Sequence, residues 1–130
     1  MALVEELPID VKTLTDIWNS SLLETEEKGK QSVINQGNIE FIAISIQEMI
    51  NKKKDGVRII SFALWSVITM HPFSDGNHRT AVALFYYLSR ILGLHKIEEM
   101  IDDDKISAYA RTVDNKGLEQ VYSDLLKMLG

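Results

Sequence analysis

Apolar positions recur at helical spacing along most of the chain. Val11, Leu14, Ile17 and Trp18 share one face of a first helix. Asp10, shortly after Pro8, suits its N-cap. The polar run Glu24 to Lys30 ends that pattern. Ile39, Ile42, Ile46, Met49 and Ile50 form the inner stripe of a second helix, which Asp55-Gly56 breaks. Val57 to Met70 is predominantly apolar, and a helix apolar all round is buried on several sides, so this is the predicted central helix. A buried strand is the alternative, but the run is long for one. Ala81, Leu84, Phe85, Leu88 and Leu92 give the next stripe, with Gly93 as its stop. Ile106, Tyr109, Ala110 and Val113 mark a helix behind Asp102-Asp103-Asp104, which serve as cap and dipole partner. Leu118, Val121, Tyr122, Leu125 and Leu129 mark the last.

One segment departs from this periodicity. Ser32 to Asn35 is short and contains Val33 and Ile34, and Gln36-Gly37-Asn38 reads as a turn. A lone strand, a hairpin arm and an ordinary connector all fit it. The expected fold class is therefore all-α, with one candidate β element before Gly37. The 130 residues suit a single domain, and no repeat, low-complexity tract or long linker divides them.

Composition removes several chemistries. With no cysteine, disulfides, zinc–thiolate sites and thiol nucleophiles are excluded. The formal net charge of −5 argues against a nucleic-acid surface, which carries a basic stripe. Lys52-Lys53-Lys54 reads as a solvated helix end complementing the helix dipole. Met1 to Asp10 lacks the layout of a signal peptide, and Ile59 to Met70 is too short to span a bilayer. The expectation is a soluble, cytoplasmic protein with neither nucleic acid nor membrane as partner.

The chemistry concentrates in HPFSDGNHRTA, residues 71 to 81, between two apolar helical patterns. Pro72 ends the central helix and biases His71 toward extended backbone. Phe73 can plug the loop into the core, and Gly76 permits a tight or left-handed turn before a helix that begins near Asn77. The first N–H groups of that helix have no intrahelical acceptors, so a glycine turn feeding it can bind an anion. Arg79 adds a guanidinium suited to phosphate, and Asn77 an amide. Asp75 is a hard oxygen ligand of the kind magnesium uses when it also holds phosphates. His71 can exchange a proton near neutral pH. Two other readings stand beside this phosphate pocket. Pro72, Asp75 and Gly76 would also serve as breaker and cap of a purely structural loop. His71, Asp75 and His78 would also be ligand types for a transition metal.

HPFSDGNHR resembles the signature of the Fic/Doc family, HPFx(D/E)GN(G/K)R. His71, Pro72, Phe73, Asp75, Gly76, Asn77 and Arg79 fit it. The resemblance implies a helical Fic/Doc-like domain with a central buried helix and a motif loop. It also implies a short β-hairpin flap, with Val33, Ile34 and Asn35 holding a target protein by main-chain pairing. It implies Mg2+- and ATP-dependent transfer of AMP, or of the terminal phosphate in Doc-like members, to a Ser, Thr or Tyr hydroxyl. A catalytically idle nucleotide- or protein-binding module of the same fold is the alternative. By the same resemblance His71 would take the hydroxyl proton and Asp75 would hold magnesium. Gly76, Asn77 and the amides after them would cradle phosphate, and Arg79 would neutralise it. Ala81-Val82 is Doc-like; Val82 stands where AMP-transferring members carry a second arginine. His78 stands where the family has glycine or, in Doc, lysine; a protonated imidazole would mimic the lysine and join the phosphate site, and the alternative is an inert surface group.

Many members restrain themselves with an (S/T)xxxE(G/N) helix. Ser20 to Glu24 is followed by Thr25, and Ser32 to Gln36 has glutamine for glutamate, so neither is an intact copy. The resemblance then implies restraint by a separate antitoxin-like protein acting in trans, as in a toxin–antitoxin pair. His95, after Gly93 and Leu94, reads as a surface residue.

Overall fold

The central helix is fixed by what it buries. In the computed structural model, which describes residues 9–21 and 34–130, the chain from Gly56 to Met70 is helical. Its Ile59, Ile60, Leu64, Val67 and Ile68 are almost wholly removed from water. Each such side chain contributes about 1.5–3 kcal/mol through burial. The buried hydroxyls on the same helix are satisfied within it: Ser61 Oγ donates to Val57 O at 2.6 Å and Ser66 Oγ to Ala63 O at 3.4 Å. A helix buried on several faces can thus carry serines without unpaired groups.

Seven α-helices and one 3-10 turn follow one another among the described residues. They are α1 (Val11–Ser21), α2 (Gln36–Asn51), α3 (Gly56–Met70), α4 (Asn77–Ile91), α5 (Lys96–Met100), α6 (Asp103–Ala110), the 3-10 turn Val113–Asn115, and α7 (Leu118–Met128). Helices α2, α4 and α7 and the 3-10 turn pack around α3, and α1 packs on α2 and α4. The expected all-α architecture is what forms, and among the described residues no helix is long and apolar enough to cross a membrane.

Local signals explain the helix ends. Asp10 Oδ1 accepts Thr13 N–H at 2.9 Å, as its cap position requires. Asp102 does the same for Lys105 N–H at 2.8 Å. Gly93, at φ 74°, closes α4: its N–H reaches Arg90 O at 3.1 Å and Leu94 N–H reaches Ser89 O at 2.8 Å. Lys52, Lys53 and Lys54 are exposed at the end of α2, and Lys52 pairs with Glu48. His95 is exposed.

Three expectations need correction. Gln36-Gly37-Asn38 is the first turn of α2 rather than a free turn, because Asn35 caps the helix, its Oδ1 accepting Asn38 N–H at 3.1 Å. The β-hairpin is absent from the described residues, where Ile34 makes only an isolated antiparallel bridge to Phe73. Once Asn35 is committed to capping, no strand can continue past it. Helix α5 was not foreseen, since its five residues bury Ile97 alone and carry no stripe. Val33, the run Glu24 to Lys30, and Glu24, Thr25 and Ser32 of the two inhibitory-pattern matches lie outside the described residues.

Candidate active site

The loop from His71 to Gly76 joins the two helices that pack most extensively on each other, α3 and α4. His71 does not take the extended backbone that Pro72 favours. It is left-handed, at φ 46° and ψ 61°, which costs a non-glycine residue about 1–2 kcal/mol. The next two residues account for that conformation. Pro72 O accepts Asn35 N–H at 2.8 Å, and the ring of Phe73 is buried flat against Trp18, with centroids 4.8 Å apart. Phe73 is therefore the plug its sequence position suggested. Its burial and stacking outweigh the strain at His71.

The loop is also held from within. Asn77 is buried, and its side-chain amide closes on Phe73 in both directions. Phe73 N–H donates to Asn77 Oδ1 at 3.1 Å, and Asn77 Nδ2 donates to Phe73 O at 2.9 Å. The amide that the sequence offers to a ligand is thus occupied by the loop. What Asn77 presents outward is its backbone N–H. From α1, Trp18 Nε1 donates to Asp75 O at 2.9 Å. From α2, Asn38 Nδ2 donates to Met70 O at 2.5 Å, tying the end of α3. The strained turn is over-determined by three neighbouring helices, the condition under which such strain persists.

Gly76, at φ 70°, delivers the chain into α4. The first intrahelical bond runs from Thr80 N to Gly76 O at 2.9 Å. The N–H groups of Asn77, His78 and Arg79 therefore have no acceptor inside the helix. With the helix dipole behind them they form a concavity suited to an anion.

Around this concavity the structure gathers His71, His78 and one residue that the sequence did not announce. Asp114, on the 3-10 turn, lies with Oδ2 3.0 Å from His78 Nε2 and Oδ1 4.0 Å from His71 Nε2. It is 36 positions from His78, and nothing in its local sequence marks it. A cleft of about 520 Å³ opens beside these groups, lined by His78, Arg79, Val82, Ser107, Arg111 and Asp114. That is within the range of small-molecule sites.

The far wall of the cleft is well anchored. Val113 is fully buried, and Trp65 Nε1 donates to Lys116 O at 2.9 Å. Asp124 Oδ2 accepts from Tyr109 Oη at 2.7 Å and from Lys116 Nζ at 3.0 Å. The tyrosine hydroxyl bond holds the Asp124 carboxyl below its ordinary range, with Lys116 and Gln120 adding to the effect. Burial, with Asp124 behind it, pushes the Tyr109 hydroxyl up.

Asp75 is the residue that bears on a metal. Its Oδ1 is buried with no hydrogen-bond partner. An unsatisfied carboxylate oxygen is costly, and a bound cation would offset that cost. Among the described residues, no three of His, Asp or Glu gather into a metal-holding group. The alternative of His71, Asp75 and His78 as joint ligands therefore does not assemble. A single carboxylate fits magnesium, which is bound through one or two carboxylates together with substrate phosphates.

Of the flap residues, Ile34 and Asn35 lie against the motif loop through the bridge to Phe73 and the bond to Pro72 O. Comparison with known families gives one result: the family model described as Fic/DOC family matches residues 9–89. No curated protein and no solved structure matches the chain.

Proposed function

The chain belongs to the Fic/DOC family, whose members are in general transferases, and we propose that it moves AMP or phosphate from ATP to a protein hydroxyl. The observation that carries this reading is the placement of His71. Its exposed imidazole lies 4.0 Å from Asp114, which lines the cleft at the start of α4. A base beside an oxyanion cup is the minimum that phosphoryl transfer requires, since positioning and electrostatics supply most of the catalysis.

In this reading His71 takes the proton of a Ser, Thr or Tyr hydroxyl as that oxygen bonds to phosphorus. The departing group is pyrophosphate when AMP moves, or ADP when the terminal phosphate moves. The backbone N–H groups of Asn77 and His78 and the guanidinium of Arg79 receive charge on the phosphate under attack. His78, held by Asp114, supplies a further donor at the same helix start when protonated. Asp75 would hold magnesium, which supplies charge neutralisation along the phosphate chain. The target segment would run along Ile34 and Asn35, close to Phe73, and an antitoxin-like protein would compete for that face.

ATP labelled separately at the α or γ phosphate, incubated with the chain and candidate target proteins, tests the reading. Label from α identifies AMP transfer, and label from γ alone identifies phosphorylation. ATP binding without transfer of either label would support an idle binding module instead.

A further inference from the structure

Arg111 has no role in the site as the family motif defines it, and it lies beyond the residues that the family model matches. It caps the C-terminus of α6 and is exposed. Among the described residues, Arg58 is paired with Glu119 and Arg90 with Glu98, whereas Arg111 makes no ion pair. In an acidic protein, an unpaired guanidinium beside a concave surface is a cation without an internal partner.

Its surroundings indicate what it faces. Arg111 and Arg79 line the same cleft from different elements, Arg79 from the first turn of α4 and Arg111 from the end of α6, which also contributes Ser107. The lining also includes Val82, which contributes no charge. Asp114, the carboxylate in the same lining, is taken up by His78 at 3.0 Å. Two arginines from separate elements thus line one space that starts at a helix N-terminus. A triphosphate carries more negative charge than a single guanidinium balances, and guanidinium geometry suits phosphate oxygens.

Resting on the reading of this cleft as an ATP site, we propose that Arg111 is a second contact for the phosphate chain. Arg79 and the α4 amides hold the phosphate under attack. Arg111, across the cleft, holds a phosphate further along and so fixes how the nucleotide lies.

The test is calorimetric binding of magnesium-ATP, with inorganic tripolyphosphate as competitor, to the wild-type chain, Arg111→Ala and Arg111→Lys. Loss of charged hydrogen bonds predicts about 10- to 100-fold weaker ATP binding for Arg111→Ala. Tripolyphosphate should weaken by a similar factor, and Arg111→Lys should recover part of both. Melting temperature should not change, because the side chain is exposed and makes no ion pair. ATP binding by Arg111→Ala within twofold of wild type would overturn the inference while leaving the ATP site standing. So would a loss confined to ATP with tripolyphosphate unaffected, which would place Arg111 on the nucleoside. A wild-type chain that binds no ATP would overturn the proposed function and this inference together.

Discussion

Replacing His71 by asparagine should make the protein more stable and less active at once. His71 sits at φ 46° and ψ 61°, where an ordinary L-residue is strained by about 1–2 kcal/mol. Asparagine tolerates this region better, because its short polar side chain can bond locally. Little is lost in exchange. The imidazole is 60% exposed, and its one charged neighbour among the described residues, Asp114, is 4.0 Å away and 41% exposed. Such exposed pairs contribute between nothing and about 1 kcal/mol. The balance favours the variant by about 0.5–1 kcal/mol, which in a domain of this size raises the melting temperature by roughly 2–5 °C. Transfer of label from ATP should fall by about 10²–10⁴, the contribution of a positioned general base. Thermal and urea unfolding measure the first effect, and single-turnover transfer the second. Two outcomes would refute the reasoning. Destabilisation by more than about 1 kcal/mol would mean that the imidazole supports the fold in a way its exposure does not suggest. Activity within tenfold of wild type would remove His71 as the base.

Three further outcomes follow from the same geometry. Asn77→Ala leaves both backbone groups of Phe73 without partners, so it should cost about 2–4 kcal/mol in urea unfolding; stability and activity should fall together, unlike in His71→Asn, and an unchanged urea midpoint would contradict the buried pairing. Trp18→Phe keeps a ring over Phe73 but removes the donor to Asp75 O, with an expected cost of about 1–3 kcal/mol and a slower transfer step. A variant of that kind with wild-type stability would show that the indole bond is dispensable. The alkaline limb of stability should be steep. Burial raises the Tyr86 hydroxyl, which donates to Ile101 O at 2.8 Å, from 10.0 to about 12, and Tyr109 moves in the same direction. The Tyr86 contribution is complete below pH 10 and is lost as pH rises through about 12, because the unfolded chain ionises first, and that of Tyr109 persists to higher pH still. Tyr86→Phe should flatten part of that fall, as read by melting temperature between pH 9 and 12.

The sequence discloses this site to an unusual degree because its central residues are contiguous. A breaker, a left-handed glycine and a helix start within nine positions dictate where the first amides of α4 lie, and Phe73 announces its own burial. The helical stripes likewise locate α1 to α4, α6 and α7. Sequence reading fails where the deciding contact is distant or a general tendency is overruled. Pro72 disfavours the backbone that His71 adopts, but the stacking of Phe73 on Trp18 prevails. Asn35 looks like part of a strand until Asn38 is seen to be its capping partner. Ser107, Arg111 and Asp114 form half of the cleft, yet they come from ordinary polar positions on α6 and the 3-10 turn. Only the packing of those elements against α3 and α4 brings them to the motif.

The bond from Trp18 to the Asp75 carbonyl reaches across 57 positions of the chain. A grafted segment comprising α3, the motif loop and α4 would carry every signature residue and still lack that donor, along with the ring that shields Phe73. Transplanting the motif into another helical scaffold would therefore require an indole supplied from outside the hairpin. Without one, the imidazole would be present in composition but not held in place.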